Sequence, residues 1–470
     1  MEIIDINGRK WQKFKGDEGQ DVYVALFVEN QDSLLGKFAT EESYDIVIDS
    51  DADVYLPAES NVDGEVGELN EDRIAFKFRK NTFTPDEQSG AFDGLFDAAV
   101  ESHNRGLAAG ERVEKSGNRD WVTPYQVEVL KYYMDGQPLS LDGSDPLEAI
   151  KQKYLGGGNN EARGSVWLRS KVENDYGNYE TFFNTVMEEL RDAELGEASV
   201  MAKKINDGYI SQTSYAAALW SGIAGFYGRY PRIPFGRATS FTEHNRSTFE
   251  KCYPFARKLE AEFKRLLPVR YGRQQKCAEQ MDKRFLIGED TTFTTITVNT
   301  TTKDRNARMA CHRDAGSLNE GFSNLTVVTK DGKDWKGGYL CCPEVRMAIN
   351  ARPGDLLLVD NMRIIHGNTP IEAPDSGEDD MLRMSLVFYF REDMLQLGSH
   401  DYEVIRRSFV DHRRLNKEHP MWRDRWNGVS PSMWDSDEWY EYLESTGGRE
   451  MVEEYHPEAY EEKASLEEFF

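Results

Sequence analysis

The sequence has few cysteines, no long apolar run and no recognisable targeting segment. Its 470 residues include five cysteines, none in a Cys-x-x-Cys pair, which disfavours a structural zinc site or a disulfide framework and fits a reducing compartment. No run of 18 apolar residues and no charged-then-apolar leader is present, so neither a membrane span nor secretion is expected. Internal repeats and a Gly-Lys-Ser/Thr phosphate loop are also missing. We therefore expect a soluble, intracellular protein.

Positive charge is scarce overall, but the deficit lies at the two ends of the chain. The net charge is −26, of which residues 1–100 carry −14 and residues 431–470 carry −11. Two basic clusters stand in the nearly neutral middle. The first consists of Arg257, Lys258, Lys264, Arg265, Arg270, Arg273 and Lys276, and the second of Arg406, Arg407, Arg413, Arg414, Lys417, Arg423 and Arg425, with Trp422 and Trp426 interleaved. Each cluster is either a surface for nucleic-acid phosphates or a solvated helix face, and the sequence leaves both open.

Short strand-like segments follow one another between residues 290 and 392. Apolar and hydroxylated residues alternate over 293–300 and 324–329, while mainly apolar runs occupy 356–360 and 383–390. Glycine and proline separate seven or eight such segments within about 100 residues. This pattern predicts an α+β fold with a double-stranded β-helix (jelly-roll) core braced by helices.

The chain divides into four regions. We predict an acidic, strand-rich N-terminal segment over 1–90, a mainly helical region over 91–215, the jelly-roll core with its preceding helices over 216–400, and a helical, Trp-rich C-terminal segment with an acidic tail over 401–470. Residues 246–267 predict one long amphipathic helix that ends before Pro268.

Two histidines and one aspartate form the most informative pattern. His312 and Asp314 are separated by one residue, and His366 follows in a strand-like segment. A strand histidine taken singly is usually a core or surface residue, but this ordered set suits a mononuclear non-haem Fe(II) centre. Three protein ligands leave three metal positions open for O₂ and a co-substrate. We therefore predict that these three residues bind iron.

A nearby arginine indicates what the co-substrate carries. Arg383 begins an apolar strand, where an unpaired guanidinium is costly to bury, so we expect it to bind a carboxylate. Ser385 points to the same face of that strand and can donate a further hydrogen bond. Asn299, in the strand before His312, is a candidate for the near carboxylate or carbonyl of the same ligand.

These motifs resemble the TET/JBP group of Fe(II)/2-oxoglutarate oxygenases, in the forms carried by bacterial viruses. The resemblance spans roughly residues 210–445. The matching motifs are His-Arg-Asp-Ala-Gly at 312–316, Gly-Phe-Ser at 321–323, Gly-Gly at 337–338, Arg-Pro-Gly-Asp at 352–355, His-Gly at 366–367, Thr-Pro at 369–370 and Arg-Met-Ser-Leu-Val at 383–387, with less specific segments at 225–237 and 422–439. The resemblance implies Fe(II), 2-oxoglutarate and O₂ as cofactors, with Arg383 as the 2-oxoglutarate anchor.

The resemblance also implies a substrate. Members of this group oxidise the 5-methyl group of pyrimidines in nucleic acid, so DNA is the expected partner and its base must be flipped or single-stranded. The product would be 5-hydroxymethylcytosine from 5-methylcytosine or 5-hydroxymethyluracil from thymine. Candidate substrate residues are Phe322, Tyr339, Arg229, Arg237, Asn104 and Arg105. Two alternatives remain: a jelly-roll oxygenase acting on a protein side chain or small metabolite, and a non-catalytic DNA-binding relative.

Overall fold

The structure is a computed structural model that describes residues 1–58, 66–100, 220–230, 233–302, 308–329, 335–372, 382–416, 418–421 and 433–445. The candidates Asn104 and Arg105, most of the predicted helical region and the acidic tail lie outside these residues. No helix within the described ranges has the length and apolarity needed to cross a membrane.

Seventeen strands and seven α-helices are present in the described part of the chain. The strands are β1 (Glu2–Ile6), β2 (Arg9–Lys15), β3 (Asp21–Ala25), β4 (Ile46–Ile48), β5 (Ala52–Tyr55), β6 (Ile74–Arg79), β7 (Trp220–Tyr227), β8 (Arg237–Ala238), β9 (Thr295–Thr302), β10 (Ser323–Val328), β11 (Lys336–Gly337), β12 (Leu340–Cys342), β13 (Met347–Ile349), β14 (Leu356–Val359), β15 (Gly367–Asn368), β16 (Ile371–Glu372) and β17 (Leu382–Tyr389). The helices are α1 (Pro85–Val100), α2 (Ser240–His244), α3 (Arg246–Phe249), α4 (Tyr253–Leu266), α5 (Pro268–Glu279), α6 (His400–Leu415) and α7 (Ser436–Ser445).

The strands form one large mixed sheet and two small ones. The large sheet has eleven strands in the order β1-β2-β3-β5-β6-β14-β10-β17-β9-β7-β8, and a four-stranded sheet has the order β15-β12-β13-β4. Strands β11 and β16 pair separately. Most neighbours are antiparallel, but β3 pairs with β5 and β4 with β13 in parallel.

The N-terminal segment supplies strands to both main sheets. Strand β6 pairs with β14, with Phe78 opposite Leu357, and β4 pairs with β13, with Val47 opposite Ala348. In both pairs the partner strands are widely separated in sequence. The N-terminal segment therefore extends the same sheets that hold the C-terminal half of the chain.

Side-chain alternation in β17 explains how one sheet borders both a core and a cavity. Met384, Leu386 and Phe388 are fully buried in the apolar core that the sheet forms with α1 and α4. Arg383 and Ser385 point to the opposite face, because successive side chains of a strand alternate, and they line a cavity there. A second apolar core fills the rest of the space between the large and the four-stranded sheet.

The helix predicted over 246–267 is present, although a turn of 3-10 helix separates α3 from α4. Helix α4 ends at Leu266, and Pro268 begins α5, where its missing N–H is not needed. The carboxylate of Glu71 accepts hydrogen bonds from the backbone N–H groups of Val269 and Arg270 at 3.0 and 2.7 Å. An N-terminal residue thus caps the helix layer that covers the large sheet.

Candidate active site

Two short backbone segments bring the predicted histidines face to face. His312 and His366 form an antiparallel bridge in which each N–H donates to the other carbonyl at 2.9 Å. Their ring centroids are 4.3 Å apart. Nδ1 of His312 donates to the carbonyl of Ala310 at 2.8 Å, and Nδ1 of His366 donates to that of Ile364 at 3.1 Å. These bonds fix the tautomer, so that each Nε2 keeps its lone pair for a metal.

Asp314 completes the set. Its Oδ1 lies 3.2 Å from Nε2 of His312 and 3.8 Å from Nε2 of His366. One donor atom from each of the three residues lies within 4.8 Å of the others. The backbone N–H of Asp314 donates to the carbonyl of Asn361 at 2.9 Å, and the Asn361 side chain lines the same cavity and helps to lower the pKa of the carboxylate. Asn361 was not predicted from the sequence, and its carbonyl holds the backbone of Asp314.

The protonation states match what a divalent metal requires. Burial alone would raise the pKa of Asp314, but the His312 hydrogen bond and the two histidine charges lower it to about 2. Burial, and then the neighbouring His312, lowers the pKa of His366 to about 4. At neutral pH the carboxylate is therefore ionised and His366 is neutral, as metal ligation demands. Imidazole and carboxylate donors suit Fe(II), so these residues fit the iron implied by the sequence.

The three donors line a cavity of about 610 Å³ that also contains Arg383. This arginine is only 6% exposed, and its Nε has no hydrogen-bond partner. Its guanidinium carbon lies 5.8 Å from the centre of the Trp335 ring, and that of Arg352 lies 5.3 Å from the same ring. Burial, and then the charge of Arg352, lowers the pKa of Arg383 to about 10. A buried cation with an orphaned donor and a like charge nearby fits an anionic ligand such as the 2-oxoglutarate carboxylate.

Three polar side chains form a row across neighbouring strands at the same cavity. Ser385 of β17 stands opposite Asn299 of β9, which stands opposite Ser221 of β7. The Ser221 hydroxyl donates to Oδ1 of Asn299 at 2.6 Å. This bond leaves the Asn299 amide N–H₂ as a donor at the cavity, where Asn299 and Ser385 both form part of the lining. Ser221 has no sequence signal that would have marked it.

The N-terminal segment contributes part of the cavity wall. Leu35 and Gly36 line it, and the Gly36 N–H donates to the carbonyl of Cys311 at 2.8 Å. The Cys311 N–H in turn donates to the carbonyl of Lys37 at 2.8 Å. These bonds attach the segment to the residue immediately before His312, a contact between distant parts of the chain that no local pattern encodes.

The proposed aromatic residues do not line this cavity. Phe322 is 4% exposed and belongs to the core between the large sheet and the helices, where Arg270 lies over its ring. Tyr339 is half-buried and meets Tyr44 edge to face, with ring centroids 6.4 Å apart. Leu340 and Gly338, on either side of Tyr339, line the cavity instead.

The two arginines expected near substrate also lie away from the cavity lining. Arg229 forms an ion pair with the buried Glu403. Arg237 lies over the ring of Tyr227, with its guanidinium carbon 5.1 Å from the ring centre. Burial lowers the pKa of Arg237, although Tyr227 opposes this shift.

The second basic cluster is partly internal. Arg406 and Arg413 are 7% and 4% exposed, and their guanidinium carbons lie 3.5 Å from the ring centre of Trp434 and 4.7 Å from that of Phe409. Arg407 pairs with Glu243 at 2.8 Å. Two members of this cluster therefore hold the C-terminal helices together rather than face solvent.

Two histidines and one carboxylate, placed so that they could hold a metal ion, share a cavity with a buried arginine. Residues 223–392 match the Tet_JBP family, described as the oxygenase domain of the 2OGFeDO superfamily. This part of the chain is therefore a Tet/JBP-type 2-oxoglutarate–Fe(II) dioxygenase domain, which confirms the resemblance seen in the sequence and its cofactors Fe(II), 2-oxoglutarate and O₂. The similarity to viral members in particular stays a prediction.

The chain is similar to several known dioxygenases, including the following three. The bifunctional helicase and thymine dioxygenase JBP2 of Leishmania braziliensis is 29% identical over 177 residues, covering 37% of this chain and 15% of that protein. JBP2 of Trypanosoma brucei brucei is 31% identical over 175 residues, covering 36% and 15%. The thymine dioxygenase JBP1-B of Trypanosoma cruzi is 29% identical over 174 residues, covering 36% and 19%. The chain thus spans less than a fifth of the length of these relatives.

The solved structure of NgTET1 in complex with 5mC DNA aligns with 48% of this chain and 76% of its own, at 12% identity and a TM-score of 0.30.

Proposed function

We propose that this chain is an Fe(II)- and 2-oxoglutarate-dependent dioxygenase that hydroxylates the 5-methyl group of a pyrimidine base in DNA. The substrate is 5-methylcytosine or thymine. Thymine is the first base to test, because the relatives described above are thymine dioxygenases. The facing large and four-stranded sheets support the jelly-roll interpretation of the core.

One observation carries the proposal. The His312–Asp314–His366 set and the buried, incompletely bonded Arg383 line the same cavity. A structural metal site would be closed by further protein ligands and would need no anion-binding cation beside it. A metal with open positions and a nearby carboxylate anchor is what a 2-oxo-acid co-substrate requires.

Different residues of the site would bind the iron and the co-substrate. His312, Asp314 and His366 would hold the iron, with the histidine rings fixed by their Nδ1 hydrogen bonds. Arg383 would pair with the distal carboxylate of 2-oxoglutarate, since its free Nε donor otherwise stays unsatisfied. Ser385 and the Asn299 amide would donate to the same ligand.

When bound, Fe(II), 2-oxoglutarate and O₂ would supply the oxidation: one oxygen atom would enter succinate as 2-oxoglutarate loses CO₂, and the other would be inserted into a methyl C–H bond to give the alcohol. The protein contributes orientation and exclusion of water. The cavity volume of about 610 Å³ falls within the roughly 300–1,000 Å³ typical of small-molecule sites. A base still stacked in a duplex cannot enter such a cavity, so we propose that the target base is flipped or taken from single-stranded DNA.

Nucleoside mass spectrometry tests the proposal. DNA carrying both 5-methylcytosine and thymine is incubated with Fe(II), 2-oxoglutarate and O₂, using wild type and His312→Ala. We expect a 5-hydroxymethyl nucleoside only with wild type and only when 2-oxoglutarate is present. Comparing duplex, mismatched and single-stranded targets measures the cost of extracting the base.

Other results of this experiment would favour one of the alternative functions. Succinate formation that depends on a peptide or a metabolite, with unchanged DNA bases, would favour an oxygenase with another substrate. DNA binding without iron binding would favour a non-catalytic relative. Either result would refute the proposed reaction.

A further inference from the structure

A buried glutamate lies between the two backbone segments that carry the metal-binding residues. Glu344, in the turn between β12 and β13, is 9% exposed. Its Oε1 accepts a hydrogen bond from Nη2 of Arg313 at 2.7 Å, and its Oε2 accepts one from the backbone N–H of Ile365 at 2.7 Å. Arg313 stands between His312 and Asp314, and Ile365 precedes His366. One carboxylate therefore joins the immediate neighbours of all three donors.

Arg313 reinforces this connection. Its Nε donates to the backbone carbonyl of Arg363 at 3.1 Å, within the segment that leads to the second histidine. Its Nη1 donates to Asp32 of the N-terminal segment at 3.2 Å. The backbone carbonyl of Glu344 accepts from the N–H of Glu29 at 3.0 Å. The N-terminal segment is thus tied to the same junction.

Few backbone hydrogen bonds join the two histidine segments. Besides those of the His312–His366 pair, the N–H groups of Asp314 and Asn368 donate to the carbonyls of Asn361 and Met309, each at 2.9 Å. The pair His312–His366 is an isolated bridge of two backbone hydrogen bonds, outside the named strands. Each such bond contributes only about 1 kcal/mol, whereas metal affinity depends on placing three donors to within about 0.5 Å. The Glu344 carboxylate adds a stronger constraint, because it is a charged cross-link with two short hydrogen bonds.

We propose that Glu344 is a positioning residue of the metal centre. It does not touch the metal. It holds Arg313 and Ile365 at a fixed separation, so that His312 and Asp314 on one segment converge with His366 on the other. This role rests on the proposed function only in taking those three residues as metal ligands.

A simpler interpretation is that Glu344 is a buried charge whose loss weakens the fold and nothing more. Glu403 is the matched comparison. It is 1% exposed, and it also accepts hydrogen bonds from an arginine, Arg229, and from the backbone N–H groups of Gly236 and Gly398, with Nε of a second arginine, Arg406, 3.9 Å away. None of these residues lines the metal-binding cavity. Replacing either glutamate with glutamine removes one buried charge from an arginine, but only Glu344 is tied to the histidine segments.

The test measures metal binding alone, without 2-oxoglutarate or DNA. Metal-free full-length protein is titrated with Co(II), which reports both affinity and coordination geometry through its visible absorption. We expect Glu344→Gln to weaken Co(II) binding roughly 10- to 100-fold, as loss of a residue that orients ligands does, and to change the absorption band. Glu344→Asp keeps the charge, so its Co(II) affinity should lie between those of wild type and Glu344→Gln. Glu403→Gln should bind Co(II) like wild type even where its melting temperature falls.

Wild-type affinity and spectrum in Glu344→Gln would overturn the positioning role while leaving the proposed function intact. An equal loss of affinity in Glu403→Gln would also overturn it, because the effect would then be general destabilisation. If Glu344→Gln does not fold, Glu344→Asp decides: an affinity within twofold of wild type refutes the role, and a larger loss supports it. A wild type that binds no Co(II) would overturn the proposed function and this role together.

Discussion

Replacing Arg383 with methionine should make the ligand-free protein more stable. Burial and the charge of Arg352 lower the pKa of Arg383 from 12.5 to about 10. A pKa that falls on folding means that folding disfavours the protonated form, so the cost is fully present at any pH below about 10. At 1.36 kcal/mol per pKa unit, the cost at neutral pH is roughly 3 kcal/mol.

Part of the stability gained by removing the buried charge is lost, because the contacts of the arginine side chain are removed as well. The Arg383 guanidinium lies over the Trp335 ring, and such a contact contributes about 0.5–2 kcal/mol. Methionine keeps the apolar length of the side chain without its charge. Subtracting the lost ring contact from the relieved charge burial, we expect Arg383→Met to raise the free energy of unfolding by about 1–2 kcal/mol.

The same substitution should remove co-substrate binding. Losing one partner of a buried charge pair costs about 2–5 kcal/mol, so 2-oxoglutarate affinity should fall at least roughly thirtyfold. Arg383→Met would then be a more stable but inactive protein, which is the trade-off expected at a site built to bind an anion.

Urea unfolding at pH 7.5 without ligand measures the stability, and calorimetric titration of the Co(II)-loaded protein with 2-oxoglutarate measures the affinity. Arg79→Met is the matched control, because Arg79 is equally buried at 6% but pairs with Asp53 at 2.7 Å. Breaking that buried pair should destabilise the protein by about 3–5 kcal/mol. The reasoning is refuted if Arg383→Met is less stable than wild type, or if it binds 2-oxoglutarate equally well.

Three further predictions concern the histidine segments, the thiols and acid stability. In Gly367→Ala the new Cβ would lie 2.9–3.0 Å from atoms of Cys311, forcing apart the two histidine segments. The Co(II) affinity should therefore fall about tenfold or more. Gly272→Ala in α5 is the control, because a Cβ added there would have no atom within 4 Å. It should leave the Co(II) affinity unchanged and stabilise the protein by up to about 1 kcal/mol. All five cysteines are free and buried, and burial raises the pKa of each thiol. A thiol reagent should therefore label no cysteine in the native protein and all five in urea. Rapid labelling of the native protein would contradict this prediction. Burial alone would raise the pKa of Asp282, but hydrogen bonds from Arg284 and the backbone lower it to about 2. The ionised carboxylate therefore stabilises the fold above about pH 4, and this stabilisation is lost towards pH 2. Asp282→Asn should lower the free energy of unfolding by about 1 kcal/mol at pH 7, after discounting for solvent screening, and by progressively less below pH 4. A difference between wild type and variant that does not change with pH would contradict this prediction.

The strands of the core could be predicted because their signal is local. Alternation over 293–300 and 324–329, and the apolar runs at 356–360 and 383–390, correspond closely to β9, β10, β14 and β17. The same alternation placed the side chains of Arg383 and Ser385 on one face. Pairing was not predictable, since the joining of β6 to β14 depends on register between segments far apart in sequence.

The site residues could also be predicted only in part. The three donors were recognisable because metal chemistry restricts residue type and order. Glu344, Asn361 and Ser221 were not, because each acts through a hydrogen bond to a residue remote in sequence. Phe322 was proposed for the cavity on its residue type alone, and an aromatic ring in a strand-rich region serves a core equally well.

Some acidic residues of the N-terminal segment pair with arginines of the helix layer. Asp72 lies 2.7 Å from Arg273 and 3.4 Å from Arg270, and Glu18 lies 2.5 Å from Arg265. Those arginines belong to the first basic cluster, which sequence alone left open as a DNA surface.

Helices α4 and α5 carry that cluster on the face of the large sheet opposite the Arg383 cavity. Exposed ion pairs contribute little stability individually, about 0–1 kcal/mol, but they reduce the positive field that phosphates would need. A DNA strand whose base entered the cavity would also approach from the other side of the sheet. We therefore infer that Arg265, Arg270 and Arg273 of the first cluster hold the N-terminal segment against the helix layer, and that these three arginines are not a surface for DNA phosphates.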